Sequence, residues 1–361
     1  MADFVEKTVL SSFSAADFGR AQMLVQVQKF YNNKAQAKTT AIANEYGAQV
    51  NSINAVGDRW KSVREDIREA RSVLSDTLGR ARSVLATLDN MIRAVNRSGE
   101  NTEGYTNPQM YAATFDSYLN GIDSTASRVS TNANLLGMAK QEVTFPTGIN
   151  GERQTVNSAF LGSDYHIVDT EGKHWDLDRS AKILKRYDVY PDEPTGTVGN
   201  LASGLKLDDL TGDTITFTVG PDTATPQTFT GTLHRSGLSL LDSWAYDGLA
   251  TAEGRQKALA DLNSAKVAID LEVRRYQLAY TTADYYEKSA SEAIEGLRKK
   301  TNQLAIDQAV AIQKEQEALA QEYQASNNTI VRALALQNQY AKMLTPLIGN
   351  KFGRSLIDIL T

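Results

Sequence analysis

The chain has 361 residues, 41% of them hydrophobic, with a net charge of −5, no cysteine and a sequence pI near 5.4. That size allows two or three domains. The acidic balance argues against nucleic acid as a partner, because phosphate binding needs concentrated Lys and Arg. The missing cysteine removes disulfides, thiolate catalysis and thiolate-bound zinc together. No run of eighteen apolar residues occurs, so no membrane span is expected. The first residues, Met1 to Lys7, lack the basic start and apolar core of a secretory signal, so the chain is expected to be cytosolic or exported by a route that does not use a cleaved signal peptide.

The seven prolines divide the chain: five lie between residues 141 and 250. A helix interior excludes proline at about 3 kcal/mol, so this clustering separates two helical arms from the middle. In the first arm, Leu24, Val27, Tyr31, Ala35, Ile42, Tyr46 and Val50 stand at loose helical spacing. Val63, Ile67, Ala70, Leu74, Leu78, Ala81, Leu85, Leu88, Ile92 and Val95 follow at steps of three or four. They predict one face of a single helix running about 50 Å. Asn96–Pro108 has a loop composition, and Met110–Leu136 resumes helically through Phe115, Leu119, Ile122 and Val129.

The middle changes period. Thr214–Val219 and Thr228–Leu233 alternate polar and apolar residues around a Gly-Pro-Asp-Thr-Ala-Thr-Pro turn, which predicts a hairpin. Tyr165–Val168 and Gly172–Leu177 predict a second pair. Short helices are expected at Arg179–Arg186 and Leu238–Trp244. From residue 251 the helical period returns, with Ile269, Val273, Tyr276, Tyr280, Ala283, Tyr286, Ala290, Ile294 and Leu297 in one stripe. The stripe continues through Leu304, Ala311, Ala318, Ile330, Leu334, Ala341 and Leu344, and Pro346 with Gly349 is expected to end it. Two amphipathic stretches so far apart in sequence are natural partners for each other.

The fold expected is mainly α with a β-rich insertion. A long antiparallel helical hairpin or coiled-coil rod comes from both chain ends, with a small central α+β domain. Residues 1–40 and 318–361 would be terminal core helices, 41–140 and 251–317 a helical rod, and 141–250 an outward-facing insertion.

Little in the sequence points to catalysis. His166, His174 and His234 lie in the middle without the H-E-x-x-H spacing that places two ligands on a helix face. Asp164, Asp169, Asp176 and Asp178 lack a calcium-loop arrangement, and Asp208, Asp209 and Asp213 suit turns. Arg298–Lys300 reads as a solvated helix face. Neither phosphate-binding glycine loops nor a nucleophile elbow occur. No enzyme activity, cofactor or metal is expected.

Ala41–Asn44 followed by Tyr46 and Val50, then Leu119–Asp123, Val129–Ser130 and Asn134–Leu136, resemble segments of the N-terminal arm of bacterial flagellins. Ala258–Leu271 with Arg274, Ile306–Ala309, Ala335–Gln339, Met343–Leu344 and Leu347 resemble that family's return arm. The resemblance covers roughly residues 40–140 and 255–348. The family's S-G-x-R-I element and acidic pair are absent; Tyr31–Lys34 stand there instead. The resemblance implies an extracellular structural subunit that polymerises into a flagellar filament for motility. It also implies a flagellar export apparatus with a chaperone, and hook-associated proteins, as partners. The alternatives are a hook–filament junction protein, or a helical stalk displaying an adhesin-like or glycan-binding domain. Leu24, Val27, Tyr31, Ile330, Leu334, Ala341 and Leu344 are the expected self-assembly residues, because narrow stripes near the chain ends suit an intermolecular seam.

Overall fold

The computed structural model describes residues 15–100 and 107–357. In chain order the elements are helices α1 (Ala15–Ser98) and α2 (Pro108–Ser127), then strands β1 (Glu142–Pro146), β2 (Arg153–Asn157), β3 (Ser163–Asp169), β4 (His174–Asp178), β5 (Ile183–Val189), β6 (Glu193–Asn200), β7 (Leu205–Thr211), β8 (Thr214–Val219) and β9 (Gln227–Gly237), a 3-10 helix (Ser243–Leu249), and helix α3 (Ala252–Ile357). The mainly helical chain with a β-rich insertion is as the sequence implies. The described residues divide into two compact units, 15–58 with 294–357, and 59–100 with 107–293; α1 and α3 each run through both.

In the first unit, α1 pairs antiparallel with α3. Lys34 meets Glu322 at 2.5 Å and Lys38 meets Glu315 at 3.4 Å. The Tyr31 ring stands edge-on to Tyr323 at 5.6 Å. Leu319 is the one fully buried apolar side chain described in this pair. The pair is thin, so most of its side chains keep contact with water.

The second unit holds the core. Ile67, Leu74, Ala81, Leu88 and Val95 recur every seven residues on α1 and are buried; Leu262, Ile269, Tyr276, Ala283 and Ala290 recur every seven on α3 and are buried too. A seven-residue repeat keeps one stripe aligned along two antiparallel helices. Polar contacts flank this seam: Arg68–Glu287 at 2.7 Å, Arg71–Asp284 at 3.2 Å and Lys266–Asp89 at 2.7 Å.

Helix α2 starts where Pro108 occupies its first turn and the Asn107 side chain accepts the Met110 amide at 3.0 Å. Its buried face, Ala112, Phe115, Leu119, Ile122 and Ala126, joins the same core. The helical segment expected to reach Leu136 stops at Ser127. The buried Arg80 guanidinium of α1 donates to the Thr125 and Arg128 carbonyls and to Asn134 Oδ1, so a cation closes the carbonyl end of α2. Residues 128–141 then run irregularly, held by bonds such as Asn134 Nδ2 to the Ala126 carbonyl at 2.8 Å.

Strands β1 and β2 form an antiparallel hairpin, and the other seven form one antiparallel sheet in the order β6-β5-β4-β3-β9-β8-β7. The expected hairpin is β8 with β9, in register from Thr214↔Thr232 to Val219↔Gln227. The second expected pair is β3 with β4. The buried face of the sheet carries Tyr165, Ile167, Trp175, Leu184, Ile215, Phe217 and Leu233. Trp175 meets Phe217 at 5.0 Å and Phe229 at 4.6 Å between ring centroids.

Three local expectations are corrected. Arg179–Arg186 is not a helix: Asp178 caps the Ser180 hydroxyl and Ala181 amide, Lys182 turns through a positive φ of 56°, and Ile183 opens β5. Leu238–Asp242 is irregular, with Ser239 at φ 59°, and the helical turn begins only at Ser243. Helix α3 passes through Pro346 and Gly349 to Ile357; a proline there removes one backbone bond from a long ladder without ending it.

Candidate functional site

The residues expected to mediate self-assembly lie in the first unit. Leu24, Val27 and Tyr31 sit on α1, and Ile330 and Leu334 on α3; all five are half-buried. Ala341 and Leu344 belong to α3, with side chains outside the described residues. Beside the half-buried positions, Met23, Val25 and Phe30 on α1 and Val331, Leu336, Tyr340 and Met343 on α3 are exposed.

The second unit carries a feature that the sequence reading passed over. Val267, Leu271, Leu278 and Tyr285 of α3 are 61–69% exposed. Their steps of four, seven and seven residues, with Arg274 and Thr281 at the intervening positions, trace a heptad seam about 27 Å long. The seam is offset from the buried stripe of Leu262, Ile269, Tyr276 and Ala283 and points away from it. Helix α3 is therefore apolar on two faces, one packed within the chain and one in water. Tyr276 fixes the inner face: its hydroxyl accepts the Ala159 amide at 3.1 Å and donates to the Leu135 carbonyl at 2.9 Å. Burial, the main cause, pushes its phenol up to about 12.

A buried polar network joins α2 to the sheet and the 3-10 helix. Arg179 bridges Asp123 at 2.5 Å and Asp242 at 3.4 Å. The Tyr165 hydroxyl donates to Asp242 at 3.1 Å and accepts from the Trp244 ring nitrogen at 3.1 Å. Asp116 takes the Ser243 amide and hydroxyl, each at 2.7 Å. Burial, followed by the charge of Asp242, pushes Asp116 up to about 6. Every strong donor here has a partner inside the network, which makes it a structural anchor between layers.

The carboxylates of the middle domain serve its turns. Asp169 accepts the Glu171 and Lys173 amides, the Trp175 ring nitrogen at 3.0 Å and Arg186. Burial alone would raise its carboxyl, but these donors outweigh it and hold the group below the usual range. Asp178 caps a turn, and Asp208 accepts Thr218 and Lys206. Among the described residues, no three His, Asp or Glu side chains are grouped to hold a metal ion, and no helix is long and apolar enough to cross a membrane.

The three histidines come together on the outer face of the seven-stranded sheet. His166 pairs with His234 across β3 and β9, their rings stacked at 4.8 Å, and stacks on His174 of β4 at 5.8 Å. Tyr190 continues the column at 5.8 Å from His174. Sequence spacing gave no sign of this, because the three residues meet only through strand register.

No protein-family model matches the chain, and no curated protein matches it. Among solved structures it aligns with FlgL of Xanthomonas campestris at 10% identity and a TM-score of 0.23, over 74% of this chain and 99% of that one. That likeness is too low to assign a fold or a function.

Proposed function

We propose that this chain is a structural subunit that assembles with other subunits through its long helices, as part of a bacterial flagellum. The observation that carries assembly is the solvent-exposed heptad seam of Val267, Leu271, Leu278 and Tyr285. Burying a row of large apolar side chains at coiled-coil spacing returns about 25 cal/mol per Å² of apolar surface, which favours an assembled state. The exposed apolar residues at the paired helical ends extend the same logic. In this reading the two ends form a continuous helical rod, the β-rich domain faces outward, and Leu24, Val27, Tyr31, Ile330, Leu334, Ala341 and Leu344 contribute to the assembled core.

The flagellar context rests on the segments Ala41–Asn44, Leu119–Asp123 and Ala335–Gln339. Between the two flagellar roles, a hook–filament junction subunit is favoured over the filament subunit. The reason is local: Tyr31–Lys34 stand where flagellins carry S-G-x-R-I and an acidic pair. Export without a cleaved signal, an extracellular position, a chaperone and hook-associated partners belong to this proposal. No enzyme activity is proposed.

Electron microscopy of the full chain after seeding, beside a truncation lacking residues 1–40 and 330–361, tests the reading. Short or capped assemblies from the full chain, lost in the truncation, fit a junction subunit; long filaments move the assignment to the filament. Equal behaviour of the two proteins would overturn assembly through the helical ends.

A further inference from the structure

The ring column on the outer sheet is a further feature that assembly does not use. His234 of β9, His166 of β3 and His174 of β4 stack across three adjacent strands, and Tyr190 closes the end. Near-parallel rings, at interplanar angles of 16–24°, pack well while uncharged. When protonated, the same rings become like charges opposite one another on paired strands, which destabilises a sheet. Imidazole is the side chain whose ordinary range makes that change near neutral pH.

We propose that the Tyr190–His174–His166–His234 column is a proton-sensitive brace of the β-domain, holding β4, β3 and β9 together when neutral and loosening them when charged.

The surroundings of His166 set the sign. From β9 it faces His234; from β4 it faces His174 and Asp176; on its own strand Asp164 shares the face. Beyond β4, Lys185 stands opposite Asp176 and Tyr187 opposite His174. Burial, then His234, then His174 lower the His166 proton affinity, and together they outweigh Asp176 and Asp164, which raise it. The unfolded chain therefore binds this proton first. The stability that neutral His166 contributes is present above the ordinary imidazole value and is lost as pH falls through it. Asp176, whose own carboxyl is held up by burial and Asp164, opposes this shift but is outweighed by burial and the two neighbouring imidazoles. Asp116, raised by its burial on α2, works in the opposite direction at lower pH. The test is therefore a comparison of variants at each pH.

The experiment is NMR titration of the three imidazoles in the full chain, with amide hydrogen exchange at pH 7.5 and 5.5, both pH values chosen to bracket the ordinary imidazole range of about 6.5. The expected result is a His166 titration displaced below the free imidazole value. Exchange in β3, β4 and β9, corrected for intrinsic chemistry, should accelerate several-fold at the lower pH relative to the β1–β2 hairpin. His166→Gln should remove most of that acceleration, and His234→Gln, at an exposed position that tolerates change, should remove part of it. Independent titration of three ordinary histidines would overturn the proposal, as would an acceleration that survives in both variants.

Discussion

Helices α1 and α3 bury matching seven-residue stripes against each other in the second unit, yet their other faces differ. Between residues 59 and 98, no large apolar side chain of α1 is exposed; its outward positions are residues such as Glu65, Asp66, Glu69, Ser72, Ser75 and Arg82. On α3, the outward positions include Val267, Leu271, Leu278 and Tyr285. The two helices differ in what their own chain covers. Helix α1 carries further buried positions, among them Val73, Val84 and Met91, and belongs to the same core as α2 and the sheet. Its apolar surface is used up within the fold. Helix α3 has an apolar face left over, and it is through this face that we propose assembly.

The difference can be broken at its buried side first. Leu74→Ala, on the fully buried stripe of α1, is expected to cost about 2–5 kcal/mol in chemical denaturation, from lost transfer energy and the cavity left behind. A cost below 1 kcal/mol would mean that the stripe is not the core seam.

Asp116→Asn probes the anchor that holds α2 in place. The Asp116 carboxyl, at about 6 when folded against 3.8 ordinarily, gives its full stability contribution below the lower value and loses it as pH rises through the upper one. The wild type should therefore lose on the order of 2–3 kcal/mol of this group's contribution between pH 4 and 7. The Asn variant keeps the bond from the Ser243 amide through its Oδ1 and replaces the other by Nδ2 donating to the Ser243 hydroxyl oxygen, without the charge, so it should be the more stable protein at pH 7 and lose that advantage at pH 4. Unfolding curves at the two pH values check the crossing.

Tyr276→Phe sharpens the inner face of α3. It leaves the ring and strips the hydroxyl that joins the Ala159 amide to the Leu135 carbonyl, at an expected cost of about 1–3 kcal/mol in thermal or denaturant unfolding.

The sequence made some of this readable and hid the rest for identifiable reasons. The stripe from Val63 to Val95 and the Thr214–Val219 strand were legible because one face is apolar and the other polar, so the period stands out. β5 was hidden because Arg186 turns inward to Asp169 and Trp175, which breaks strict alternation and lets Arg179–Arg186 read as helical. The end of α2 was hidden because what closes it, Arg80, comes from another helix far away in sequence. The outward seam of α3 was masked by the inner one: two heptad stripes on one helix read as general hydrophobicity, and only burial separates Leu278 from Tyr276. The histidine column exists only through the register of β4, β3 and β9. Of the expected assembly residues, five are described and half-buried within the paired ends, so their periodicity was legible while their partner was not.

Sedimentation of the double variant Leu271→Glu, Leu278→Glu beside the wild type, with matched unfolding curves, decides whether the exposed face of α3 is an assembly surface. Both positions face water in the free chain, so the change should leave monomer stability within about 0.5 kcal/mol. The wild type should associate with rising concentration, and the variant should stay monomeric with an unchanged unfolding midpoint. A variant that associates as well as the wild type would contradict assembly through this face.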